Sequence, residues 1–133
     1  MDESMNELLS HTSGMGQAKM FSKEWYDEYF RRADKSRAHA RFCELVYGRD
    51  LCQHGMMDID EMSFLGGLLK PGENVLEIGC SNGRITEVLQ QASGCRIHGV
   101  DYSEVALDQA RDRTRASGLP LQFSCLDMIN DEI

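Results

Sequence analysis

Asn74-Val75-Leu76-Glu77-Ile78-Gly79-Cys80-Ser81-Asn82-Gly83 is the stretch that decides how this chain is read. Val75, Leu76 and Ile78 make a short apolar run of the kind that fills a buried parallel strand. Glu77 sits near the end of that strand. A turn of small residues follows, and then a helical run from Arg84 to Leu89. Strand, glycine turn and helix together bring backbone close to a ligand at a helix N-terminus. Gly79 is free to take a positive φ, and neither Gly79 nor Gly83 carries a Cβ that would block an approaching ligand.

Downstream, a second strand from Arg96 to Val100 ends in Asp101. Asp101 lies about 20 residues past the glycine turn, where a carboxylate is placed to bond ribose hydroxyls. An ionised carboxylate only accepts hydrogen bonds, which suits a vicinal diol. Ser103 is a good helix cap, and Glu104 is favourable in the first turn. Val105, Ala106, Leu107 and Ala110 supply the inner face of that helix. Ser117-Gly118-Leu119-Pro120 ends it. A third strand runs from Leu121 to Cys125, and Leu126-Asp127-Met128 follows.

Upstream, residues 1–20 lack clear periodicity and read as a flexible N-terminus, with Met1 to Leu9 able to form a short helical turn. A helical segment over 21–70 follows. Ser22 caps its start, and Trp25, Tyr29 and Phe30 share an apolar face. Tyr26 and Tyr29 either reach a ligand or pin the helix onto the sheet. Phe42, Leu45 and Val46 continue the stripe, in one long helix or in two with a break near Asp34. Asp58 and Glu61 have capping-box spacing. Met62, Leu65, Leu68 and Leu69 give the next helix its apolar face, and Lys70-Pro71-Gly72 ends it.

Three segments resemble motifs of the class I S-adenosylmethionine-dependent methyltransferases. Glu77-x-Gly79-x-x-x-Gly83 is similar to the family's first motif, acidic-x-Gly-x-Gly-x-Gly, with Ser81 in place of the middle glycine. Asp101-x-Ser103-x-x-Ala106-Leu107-x-x-Ala110-Arg111 resembles the second. Asp127-Met128 after the third strand resembles the third. The resemblance covers residues 73–128. It implies an α/β, Rossmann-like fold with a partial parallel sheet of order 3-2-1 and N-terminal helices. It also implies S-adenosyl-L-methionine as cofactor, held by Glu77, Gly79, Cys80, Ser81, Gly83, Asp101, Tyr102, Ser103, Asp127 and Met128. In that scheme Tyr102 packs on adenine and Asp127 accepts from its amino group. Cys80 either touches the ligand or is a small filler. Tyr47 to Gly55, ending Gln53-His54-Gly55, is loosely similar to a segment of small-molecule methyltransferases that folds over the cofactor. His54 is thus a candidate for the acceptor side, or a loop histidine bonded to backbone.

The family sheet has seven strands in the order 3-2-1-4-5-7-6, and the sequence to Ile133 supplies the first three. The expectation is the first half of a longer enzyme, with the donor-binding region at 71–133, an open edge on the first strand and no turnover alone. The alternative is a natural mini-domain. A second copy covering that edge is the expected homo-oligomer. Methyl transfer needs alignment of donor and acceptor and an acceptor without its proton, so no catalytic residue is named by the pattern. A nicotinamide-dependent dehydrogenase fits worse, because its Gly-x-Gly-x-x-Gly fingerprint needs glycines where Ser81 and Arg84 stand. A non-catalytic binding module is the reading from a different class.

Composition narrows the partners. The net charge is −8 and the isoelectric point about 4.9, which argues against a broad nucleic-acid or anionic-membrane surface. A small-molecule acceptor is expected instead. Apolar runs fall short of the ~20 residues that span a bilayer, and the polar, acidic N-terminus shows no signal peptide. Cys43, Cys52, Cys80, Cys95 and Cys125 are scattered without Cys-x-x-Cys, as in reduced cytoplasmic proteins without a metal site.

Overall fold

Three parallel strands are laid side by side, with helices against one face. The computed structural model describes residues 18–53 and 55–132. In chain order it contains α1 (Lys23–Ala33), α2 (Arg37–Tyr47), α3 (Ile59–Leu68), β1 (Asn74–Ile78), α4 (Arg84–Ser93), β2 (Arg96–Asp101), α5 (Glu104–Arg115) and β3 (Leu121–Cys125). β2 is central and pairs with β1 on one side and β3 on the other, in the expected order. Val75 lies opposite Ile97, and Gly99 opposite Phe123. Side chains alternate across a pleated strand, so Glu77, Gly99 and Phe123 share one face. α4 and α5 cover it, and a Cβ on Gly83 would meet Phe123 at 2.8 Å and Ala110 at 2.9 Å.

Local chemistry sets the helix boundaries. The Ser22 hydroxyl accepts from Trp25 N at 3.2 Å, and the Ser36 hydroxyl accepts from His39 N at 3.1 Å. The charged stretch is therefore two helices, broken at residues 34–36. Asp58 and Glu61 form a reciprocal capping box, which satisfies otherwise orphaned donors of the first turn of α3. That helix turns a different stripe inward from the one its leucines suggest. Met62 and Gly66 are buried, while Leu68 is 63% exposed. Gly66 faces Ala92 of α4 so closely that an added Cβ would meet the alanine methyl at 2.7 Å. This small-residue contact sets the rotation of α3.

Two apolar clusters join the layers. Cys43, Tyr47, Leu51, Met62 and Val88 form one, and Phe30, Ala33, Cys52 and Ala106 the other. α1 is tied to α5, where Gln109 donates to Phe30 O and Ser103 to the Asp27 carboxylate. All five cysteines are free thiols, and only Cys125 is exposed. β1 was expected to carry an open edge with apolar surface exposed beside it, and Leu76 and Ile78 are 48% and 50% exposed. They point to the face opposite the one that α4 and α5 cover, and among the described residues no strand pairs with the outer edge of β1. Among the described residues, no helix is long and apolar enough to cross a membrane. The N-terminal stretch and His54 lie wholly or largely outside the described residues.

Candidate functional site

Parallel strands open their ligand crevice beyond their carboxyl ends, and there the chain forms a cavity of about 560 Å³. Its floor is the loop after β1. Gly79 takes φ +75, and nothing lies within 4 Å of where its Cβ would be. The backbone is thus bare toward the cavity. The N–H groups of Gly79 and Cys80 both donate to Val100 O, at 2.8 and 3.1 Å, which fixes the turn against β2. Ser81 also has positive φ, at 54°. Its N–H donates to Asp101 Oδ2 at 2.9 Å.

Asp101 is the hinge of the site. Its other oxygen, Oδ1, accepts from Ser103 N at 2.9 Å. One buried carboxylate therefore binds the turn after β1 to the turn after β2, and each oxygen keeps a second lone pair for a ligand. Tyr102 follows and lines the cavity. Burial first, then the nearby Tyr26 and the Asp101 carboxylate, push its phenol up to about 12, so it stays a neutral donor. It donates to Phe21 O at 3.0 Å.

The far wall comes from the turn after β3. Leu126, Asp127, Met128 and Ile129 all line it. Asp127 Oδ1 accepts from Ile129 N at 2.9 Å, and its Oδ2 accepts from the Asn130 amide at 2.6 Å. The Asn130 bond leads in holding its carboxyl below the usual range.

Six of the expected residues thus meet in one cavity: Gly79, Ser81, Asp101, Tyr102, Asp127 and Met128. Four do not line it. Cys80 is 2% exposed and packs beneath Gly99, with burial the leading cause that raises its thiol. Gly83 starts α4 at φ 74 and serves close packing. Ser103 is fully buried as the cap of α5. Glu77 lies behind the turn, with Oε2 shut from water and without a hydrogen-bond partner. Desolvation raises its carboxyl to about 7, helped by the Asp101 charge and opposed by the Thr86 hydroxyl beside it. That hydroxyl makes no well-formed hydrogen bond itself.

The pattern reading missed part of the lining, Phe21, Phe30, Ile78 and Ile85, whereas Gln53 and Gly55 come from the segment expected to fold over the site. Of the two tyrosines left open, Tyr26 lines the cavity. Tyr29 instead stacks on Trp25 and meets His39 Nε2 at 2.9 Å. Gln53 and Gly55 are held by the α2–α3 connection, where Tyr47 donates to Gly55 O at 2.9 Å and Gln53 Nε2 to Met57 O at 2.6 Å. A second cleft, about 400 Å³, lies at the amino ends of the strands among Asn74, Arg96 and Gln122. It lacks the glycine turn and the acidic strand ends.

Residues 75–132 match a family model described as a methyltransferase domain. A ubiquinone biosynthesis O-methyltransferase of Coxiella burnetii is 33% identical over 57 residues, 43% of this chain and 24% of that protein. A ribosomal protein L11 methyltransferase of Caldanaerobacter subterraneus is 29% identical over 58 residues, 44% of this chain and 19% of that one. The matches thus span about a quarter or less of these relatives. Among solved structures, the chain is similar to a SAM-dependent methyltransferase of Geobacter sulfurreducens in complex with S-adenosyl-L-homocysteine. The TM-score is 0.50 and the identity 25%, over 56% of this chain and 32% of that one. With the glycine turn, the acidic strand ends and the parallel order already in place, residues 75–132 are similar to a methyltransferase domain of the class I S-adenosylmethionine-dependent kind.

Proposed function

We propose that this chain binds S-adenosyl-L-methionine in the cavity beyond β1 to β3, as the donor-binding part of an enzyme that methylates a small molecule. The observation that carries the reading is the convergence of Gly79, Ser81, Asp101, Tyr102, Asp127 and Met128 on one cavity. The bare backbone at Gly79 suits the methionine portion of the donor. Asp101 suits the ribose hydroxyls, and Asp127 with Met128 the adenine. Residues 21–70 act as a cover, with Gln53 and Gly55 in the lining. The donor supplies a methyl group on a positively charged sulfur, open to direct displacement. The chain's part is to align that group and keep water away from it. A small-molecule acceptor is supported by the ubiquinone relative's name. His54, between two lining residues in sequence, is the candidate on the acceptor side. His54→Ala then lowers turnover of the enzyme more than donor affinity. A second copy pairing along β1 completes the proposal.

The test is calorimetric titration with S-adenosylhomocysteine. Asp101→Ala is expected to weaken binding by about 1–3 kcal/mol, the range for losing a charged hydrogen-bond partner. An unchanged dissociation constant contradicts the ribose assignment.

A further inference from the structure

The charge and the aromatic content of the cavity point the same way. Asp101 and Asp127 are the charged side chains among its described lining residues. Both are acids, in a chain of net charge −8. A cleft with low-dielectric walls and one sign of charge focuses its field and favours the opposite charge. Against these acids stands an aromatic wall from the N-terminal segment. Tyr26 and Phe30 are one helical turn apart on α1, their ring centroids 6.5 Å apart and their planes 23° apart. Phe21 extends the wall, 6.3 Å from Tyr26. All three line the cavity. Ring faces attract cations within about 6 Å of the centroid. Burial, and behind it the Asp101 carboxylate, raise the Tyr26 phenol above its ordinary value, so the same carboxylate acts on ring and cavity.

We propose that Tyr26 and Phe30 form a wall that recognises an onium cation, a positively charged sulfur or nitrogen group, in the cavity shared with Asp101. The specificity role rests on the methyl-donor reading. The cation has two sources, the sulfonium of the donor or an ammonium on the acceptor. Neutral S-adenosylhomocysteine has the donor's shape without the sulfonium charge, so it separates charge recognition from nucleoside binding.

The experiment titrates the chain with S-adenosylmethionine, S-adenosylhomocysteine and tetramethylammonium chloride at low salt. Tyr26→Leu and Tyr26→Phe are run beside the parent, with circular dichroism to confirm folding. With the donor as source, Tyr26→Leu lowers S-adenosylmethionine affinity about 5- to 10-fold. S-adenosylhomocysteine affinity then changes less than about twofold, and Tyr26→Phe keeps the preference. With the acceptor as source, tetramethylammonium binds the chain saturated with S-adenosylhomocysteine, and Tyr26→Leu abolishes this. The parent alone gives a variant-free reading, because tetramethylammonium competes with S-adenosylmethionine in the first case and binds beside the neutral nucleoside in the second. The proposal is overturned if both nucleosides bind with a ratio that ignores Tyr26 and tetramethylammonium neither competes nor binds. If neither nucleoside binds, the methyl-donor reading fails. Tyr26-dependent tetramethylammonium binding still upholds the wall in that event, and its absence overturns the wall too.

Discussion

Glu77 shows how a residue can serve a site without lining it. Its carboxylate is desolvated behind the glycine turn, with Asp101 repelling its charge. An ordinary glutamate ionises near 4.5, whereas the folded chain holds this proton up to about 7. Between those values folding takes up a proton, so raising the pH through that window weakens the fold. Each pKa unit is worth about 1.4 kcal/mol, and the residue's partial exposure trims the total, so Glu77 costs about 1–3 kcal/mol above pH 7. Glu77→Gln is therefore expected to be more stable than the parent at pH 8, with the difference shrinking toward pH 4. Urea unfolding at both values checks it, and an equal gain at both pH values contradicts it. The sequence made Glu77 and Asp101 visible by their positions. It did not reveal that Asp101 would spend a lone pair of each oxygen on Ser81 and Ser103 backbone, since that depends on how two turns meet.

At the scale of elements, the strand–turn–helix boundaries were legible because Ser22, Asp58, Ser103 and the strand runs carry local signals that tertiary packing leaves intact. The rotation of α3 was not. Its inward stripe is set by Gly66 against Ala92, a contact no periodicity encodes. Gly83 matters for the same reason. It joins the left-handed conformation to a gap filled by Phe123 and Ala110. Gly83→Ala adds left-handed strain for a residue with a Cβ and overpacking between α4, β3 and α5. The expected loss is about 2–4 kcal/mol, read as a lower thermal midpoint. A midpoint within a degree or two of the parent contradicts the packing account. The aromatic wall was half legible: Phe30 was placed on an apolar face, but only its seat beside Tyr26 shows that this face also bounds the cavity.

At the scale of the molecule, the helices against one side leave Leu76 and Ile78 of β1 half exposed. Unpaired strand edges with apolar side chains recruit further chains. Leu76→Lys places a charge on that edge and is expected to lower the mass seen by light scattering, from a self-associated parent to a monomer. A monomeric parent removes the second copy from the proposal. The two clefts give the account its most direct test, because they sit at opposite ends of the same strands. Amide shifts in a heteronuclear magnetic resonance titration with S-adenosylhomocysteine report which one is filled. The prediction is that Gly79, Ser81, Asp101, Tyr102, Asp127 and Met128 move together and saturate at one dissociation constant. Shifts confined to Asn74, Arg96 and Gln122, or none at all, would contradict the methyl-donor site.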